Sequence, residues 1–381
     1  MDENKQRLIE ISDEIHANPE VANEEVKASR LLADELEKAG FKVDLGVAGL
    51  ETAILAVHPD QSEGPTIAIL GEYDALPGIG HACGHNLIAT SALGACLALG
   101  SMKKDIPGKL VFMGTPAEEA IGGKIAMVEK VLFKDVDAVM MYHPSAGYTM
   151  TGRAGLALTE VIIEFTGKAS HASGTPEKGI NALDAVIQTF NGINALRQHI
   201  KSDARIHGVI THGGLKPNIV PDFAAAEFYV RAPTDSYCGV LVKKLENCAI
   251  GAASATGATL KYTVVEPSYQ SRIMNRTMGD LFEKNLTAIG EPLIPLPPGS
   301  GAGSSDIGNV SQVVPSIHPY ISICDDSIAG HSIEFEKASK STRAYEAMLN
   351  AAKALAMTAI DLFTDSDLMN QATEEFQNRK K

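Results

Sequence analysis

The sequence predicts an α/β protein: a mostly parallel sheet flanked by helices, into which a smaller α+β domain is inserted. Three observations predict it. Short apolar runs such as "TIAIL" and "KLVFMG" alternate with stretches of helical period, the signature of buried parallel strands and their crossovers. After "TGRAGLA" the order changes to β-α-β-β-α-β, which is complete in itself as a ferredoxin-like split βαβ unit. The first pattern then resumes, and a chain of 381 residues is long enough for two cores.

Taken in order, Leu8, Ile11 and Ile15 lie at helical spacing, as do Leu32, Leu36 and Ala39 before a stop at Gly40. The runs "FKVDLGV", "TAILAV" and "TIAILG" read as strands, and the Ala/Leu/Gly-rich residues 87–99 as a close-packed helix. "KLVFMG", a helix around 124–131 and "DAVMMYH" (137–143) continue the alternation. In the insertion, strands are expected at 159–165, 206–211, 224–230 and "TLKYTVV", with helices at 182–196 and 236–255. A helix at 277–289, a Gly/Pro/Ser loop at 295–305, one long helix at 335–363 and a solvated helical tail "EEFQNRKK" complete the chain. The expected domains are 1–154 with 265–381, and 155–264.

Composition narrows the function. Apolar residues at 45% and charged residues at 21% describe a soluble globular protein. A net charge of −14 argues against nucleic acid and anionic membranes as partners. No run reaches the roughly 20 apolar residues of a membrane span. Five scattered cysteines and a charged N-terminus lacking an apolar signal core point to the cytoplasm.

Chemistry concentrates after three strands. "GEYDALPGIGHACGHN" follows "TIAIL", "TPAEEA" follows "KLVFMG", and "YHPS" follows "DAVMM". Loops at the carboxyl ends of parallel strands gather on one edge of the sheet, so Asp74, Cys83, His85, Glu118, Glu119 and His143 are placed to meet. Thiolate, imidazole and carboxylate are the ligands of zinc and neighbouring transition metals. Of two adjacent glutamates, one can ligate while the other takes a proton from an activated water. A second reading makes Cys83 a nucleophile activated by His85, and it leaves the glutamate pair and His143 without a task.

The series "DALPGIGHACGHN", "GTPAEEAIGGK", "YHP", "GKASHAS", "NIVP" and "AGHSIEF" resembles the aminoacylase and amidohydrolase branch of the dinuclear metallopeptidases. Within it the chain is most similar to the aminobenzoyl-glutamate utilisation proteins and the β-alanyl dipeptidases. Carboxypeptidase G and succinyl-diaminopimelate desuccinylase are more distant. The resemblance covers nearly the whole chain and implies two divalent ions, Zn or Mn, held by Cys83, His85, Glu119, His143 and His331, with Cys83 bridging. It implies Glu118 as general base and acid, and Asp74 as the carboxylate that orients a ligand. It makes the insertion a lid and dimerisation domain, in which His171 reaches a partner subunit's site and Asn218 and Arg231 bind substrate. For Arg231 a strand-end salt bridge is the alternative. For Gly301, Gly303 and Ser304, as backbone donors to substrate, the alternative is a plain flexible loop.

Asn86 stands where many aminoacylases have an acidic residue, and Glu72 and Tyr73 differ from their "ADMD". His81 is expected to be structural or to support a metal ligand from behind. The expected activity is hydrolysis of the amide of a small N-acyl amino acid or dipeptide by a homodimer or higher oligomer. A non-catalytic binding protein on the same scaffold and a Cys83-dependent hydrolase are the competing expectations.

Overall fold

The computed structural model describes residues 4–153, 155–297 and 300–379. The chain divides into two compact units: Met1–Ala154 with Arg272–Ser300 and Ser305–Lys381, and Gly155–Ser271 with Gly301–Ser304.

The first unit begins with α1 (Lys5–Ala17), α2 (Val26–Lys38), β1 (Lys42–Leu45), β2 (Ile54–Val57) and β3 (Thr66–Glu72). It continues through α3 (His85–Met102), β4 (Lys109–Thr115), α4 (Gly123–Glu129), β5 (Ala138–Met140) and β6 (His143–Ala146). The second unit holds β7 (Ala157–Thr166), α5 (Ala182–Leu196), β8 (Arg205–His212), β9 (Phe223–Ala232), α6 (Asp235–Thr256) and β10 (Thr259–Tyr269). The chain re-enters the first unit with α7 (Arg276–Ala288), α8 (Ile307–Ser311), β11 (Ser316–Ile317) and β12 (Tyr320–Cys324). It ends in α9 (Ile333–Ala338), α10 (Thr342–Thr364) and α11 (Ser366–Arg379). No helix among the described residues is long and apolar enough to cross a membrane.

The main sheet runs β1-β2-β4-β3-β5-β11, with β4, β3, β5 and β11 parallel and β1 and β2 antiparallel at one edge. Both faces are covered, which is why β3 is apolar at every position of "IAIL". Ile67 and Ile69 join the core built with α3 and α10, while Ala68 and Leu70 face Met127 of α4 and Val310 of α8. Helix α3 is buried nearly all round. A Cβ on its Gly94 would come within 3.0 Å of Leu8 and 3.2 Å of Ala352, so α1 and α10 approach its backbone closely.

The second unit is an antiparallel sheet in the order β10-β7-β9-β8, the ferredoxin-like arrangement, with its core formed against α5 and α6. Asn181 caps α5 by accepting from Leu183 and Asp184 N–H, Thr234 caps α6, and Gly257 closes α6 at φ +77°.

Several expectations need correction. The second unit ends at Ser271, not 264, because β10 pairs with β7 as far as Tyr269. Residues 301–304 also belong to it: Leu156 N–H donates to Gly303 O at 2.8 Å. The strand expected at 137–143 is two strands in different sheets, β5 and β6. The long helix at 335–363 is broken between α9 and α10, where Ser339 Oγ donates to Glu336 O and Ser341 caps Ala344 N–H. The tail is not merely solvated. Met369, Ala372 and Phe376 of α11 are buried, and Glu375 accepts from Arg276 and Thr277 N–H to cap α7. Lys380 and Lys381 lie outside the described residues.

Candidate metal centre

Strands β3 and β4 deliver their loops to the same sheet edge, and β5 ends at Met140, shortly before Tyr142 and His143. The chain after β3 turns back so that Cys83 and His85 flank Gly84, with His85 opening α3. Gly84 is required twice over: its φ is +78°, and a Cβ there would sit 2.5 Å from Pro144 Cγ. Two other backbone positions at this edge are strained, Ala117 at φ +61° beside Glu118, and His331 at φ +59°.

Two triads of donor atoms meet at Cys83. Cys83, His85 and His143 form one, and Cys83, Glu119 and His331 the other, with the donor atoms of each within 4.8 Å of one another. Cys83 Sγ lies 3.5 Å from His143 Nε2, and Glu119 Oε1 lies 3.4 Å from His331 Nε2 and 4.0 Å from His85 Nε2. His85 and the glutamate pair Glu118 and Glu119 make a third cluster.

Asp74 ties two of these loops together. Its Oδ1 accepts from His85 Nδ1–H at 3.0 Å, and its Oδ2 accepts from Glu119 N–H at 2.9 Å. Burial pushes the Asp74 carboxyl up, but the His85 charge and these hydrogen bonds outweigh it and leave its pKa lowered. With Nδ1 so engaged, His85 presents Nε2 to the centre.

Whether these side chains suit a divalent cation is tested by two atoms. Among the described residues, His85 Nε2 and Glu119 Oε1 are buried yet find no hydrogen-bond partner, and both point into the donor cluster. Orphaned buried acceptors beside a thiol and two further imidazoles fit a metal ion.

Behind Glu118 lies a group that the sequence did not reveal. Glu72, Glu118 and Asp306 form a carboxylate cluster, and the fully buried Lys124 bonds Glu72 Oε1 and, at 2.7 Å, Asp306 Oδ1. Burial, then Glu72 and Glu119, push the Glu118 pKa well above the usual carboxylate range. Glu72, read from sequence only as a departure, therefore faces Lys124 on one oxygen and His85 Nε2, at 3.5 Å, on the other.

Asn86 donates to Ser12 Oγ at 3.0 Å and Ser339 O at 3.1 Å, so it braces α1 against the α9–α10 break. His81 contacts Ile15 O at 3.1 Å, and burial holds its pKa down at about 3.

The remaining sequence-derived residues belong to the second unit. His171 and Asn218 are neighbours there: His171 bridges Ile219, and Ala172 N–H donates to Asn218 O at 3.0 Å. Arg231 Nη1 donates to Ser304 Oγ at 2.9 Å, which places Arg231, Gly303 and Ser304 together. Gly301 belongs to the same unit.

A donor set of this kind, at the carboxyl edge of a mostly parallel sheet, has the residue types that a divalent metal centre needs. The chain belongs to peptidase family M20/M25/M40, whose model matches residues 68–360. It is 40% identical to the Xaa-Arg dipeptidase of Mus musculus, over 99% of this chain and 90% of that protein. It is 30% identical to a p-aminobenzoyl-glutamate hydrolase subunit of Escherichia coli (strain K12), over 98% and 92%. Among solved structures, the aminobenzoyl-glutamate utilization protein from Klebsiella pneumoniae has a TM-score of 0.72 at 20% identity, covering 94% of this chain and 96% of that one. A Bacillus subtilis protein described as a dinuclear metal binding peptidase of the M20 family has a TM-score of 0.73 at 20% identity, covering 95% and 100%. These two share the fold.

Proposed function

We propose that the chain is a metal-dependent amidohydrolase that cleaves the amide of a small N-acyl amino acid or dipeptide. The observation that carries this is the pair of donor triads sharing Cys83, with His85 Nε2 and Glu119 Oε1 orphaned between them. Cys83, His85, Glu119, His143 and His331 would hold two divalent ions, Zn or Mn. When bound, the metal pair supplies Lewis acidity and a water acidic enough to lose a proton near neutral pH. Glu118 accepts that proton and returns it to the leaving amine. Asp74 keeps His85 and the Glu119 loop in place while this happens. His171, from a second copy, donates to the developing oxyanion, and Asn218, Arg231, Gly303 and Ser304 contact the substrate.

The relatives' names support dipeptides and acyl-glutamates as the substrate classes to try. The Cys83-nucleophile reading loses support, since burial, then Glu119, push that thiol well above its ordinary pKa, the reverse of an activated nucleophile. Five free thiols support a reducing, cytoplasmic location.

The test is a panel of β-alanyl and arginyl dipeptides, N-acyl amino acids and aminobenzoyl-glutamate, run before and after chelation and with Zn²⁺ or Mn²⁺ added back. Hydrolysis that disappears on chelation and returns with metal is expected. Hydrolysis that survives chelation removes the metal reading, and a metal-loaded protein inert to the panel favours a binding role.

The homodimer is supported by the exposed edge strand β8, where Val209 is 62% and Ile210 45% exposed. Val209→Lys is expected to shift the protein toward monomer in light scattering. An unchanged mass would place the contact elsewhere.

A further inference from the structure

His318 lies on the two-residue link between β11 and β12, beside the proposed metal ligand His143. Tyr320, the first residue of β12, registers with His143 of β6. The two imidazoles meet edge to face with ring centroids 5.4 Å apart. Arg272 reaches this point from the segment before α7. One of its Nη1 hydrogens goes to His318 Nδ1, and Nη1 also lies 3.1 Å from Tyr320 OH, while Nη2 donates to Arg153 O at 2.6 Å. The guanidiniums of Arg272 and Arg153 lie 5.5 and 5.4 Å from the Tyr320 ring centroid.

This arrangement fixes the tautomer of His318. A guanidinium has only donors, so Nδ1 must accept and the ring proton must reside on Nε2. That Nε2–H is buried and has no hydrogen-bond partner among the described residues. An unanswered buried donor is unfavourable, and a ligand acceptor would recover that cost. The surroundings select the acceptor: Arg272 holds the ring on its Nδ1 side and Arg153 lies beside the neighbouring Tyr320, and this positive environment favours an anion over a neutral carbonyl. In an N-acyl amino acid or dipeptide, the carboxyl carbon is two bonds from the amide nitrogen. An amide held at the His143 edge therefore brings its carboxylate to a neighbouring imidazole.

We infer that His318, held as its Nε2–H tautomer by Arg272, binds the α-carboxylate of the amino-acid half of the substrate. The inference rests on the amidohydrolase reading. It makes His318 a residue that distinguishes substrates ending in a free acid from those ending in an amide.

The test is calorimetry on metal-loaded protein with L-arginine and L-glutamate against their α-carboxamides. Wild type is expected to prefer each acid over its amide. His318→Phe should weaken acid binding about 10- to 100-fold, the loss of one hydrogen bond to a charged group, and leave amide binding unchanged. His318→Asn keeps a polar atom at the Nδ1 position but none at Nε2, and should behave like the Phe variant if that one fails to fold. His318→Gln restores a donor near Nε2 and should recover part of the preference. Metal content, measured by elemental analysis, should equal wild type throughout. An absence of acid preference in wild type, or its survival in His318→Phe or His318→Asn with full metal content, overturns the inference. A protein that shows the preference yet hydrolyses no amide instead removes the amidohydrolase reading and leaves the carboxylate site standing.

Discussion

Glu118→Gln is expected to lower kcat by about two to four orders of magnitude, the range for losing a general base and acid, while two metal ions still bind. The same substitution should make the chelated protein more stable. Burial first, then Glu72 and Glu119, raise the Glu118 pKa above its ordinary value near 4.5. The folded state therefore holds that proton more tightly than the unfolded chain. Wild type then loses stability as pH rises from about 4.5 through the raised value, a loss absent from the isosteric amide. Turnover falling while the denaturation midpoint at pH 8 rises is the joint signature of a residue strained for its task. Near-normal turnover in Glu118→Gln refutes the mechanism. A midpoint that falls refutes the account of its electrostatics.

Lys124→Met is expected to destabilise the fold severely. The ammonium is fully buried between Glu72 and Asp306, and Glu118 completes the cluster. Charges about 4 Å apart interact by about 4 kcal/mol even at an effective dielectric of 20. Removing one partner of such a buried network costs about 3–5 kcal/mol, readable in a denaturant titration. Adding Glu72→Gln and Asp306→Asn to Lys124→Met should return much of that loss, because the repelling carboxylates are then neutral. A loss below about 1 kcal/mol, under the usual range for a broken buried ion pair, refutes the role given to Lys124.

What the sequence disclosed, and what it hid, follows from how local each signal is. The motifs of Cys83, His85, Glu118, Glu119 and His143 were legible because each follows an apolar strand, and parallel strands deliver such loops to one edge. The βαββαβ order disclosed the insertion for the same reason, as every strand and helix in it has its own period. Lys124 and Asp306 were not legible. They stand 182 positions apart, and no local pattern marks either as a buried ion. His331 was legible only by resemblance, since its strained backbone and its approach to Glu119 are tertiary facts. His318 sits in "SIHPY", which carries no motif, and its distinction is conferred by Arg272 from 46 positions away. The break between α9 and α10 was missed because the apolar period on either side outweighs a pair of serines in a pattern count.

The division of the first unit has a consequence for the order of events during synthesis. The ferredoxin-like unit is nearly contiguous and has its whole sheet once Tyr269 has emerged from the ribosome. The first unit is still short of His331, of β11 beside β5, and of α10 against α3. For more than half of translation, "CGHN" and the apolar α3 are therefore present without the helix that buries them. Such an interval exposes hydrophobic surface to aggregation and an unguarded thiol to oxidation. The inserted domain is in that sense a spacer in time as well as in sequence.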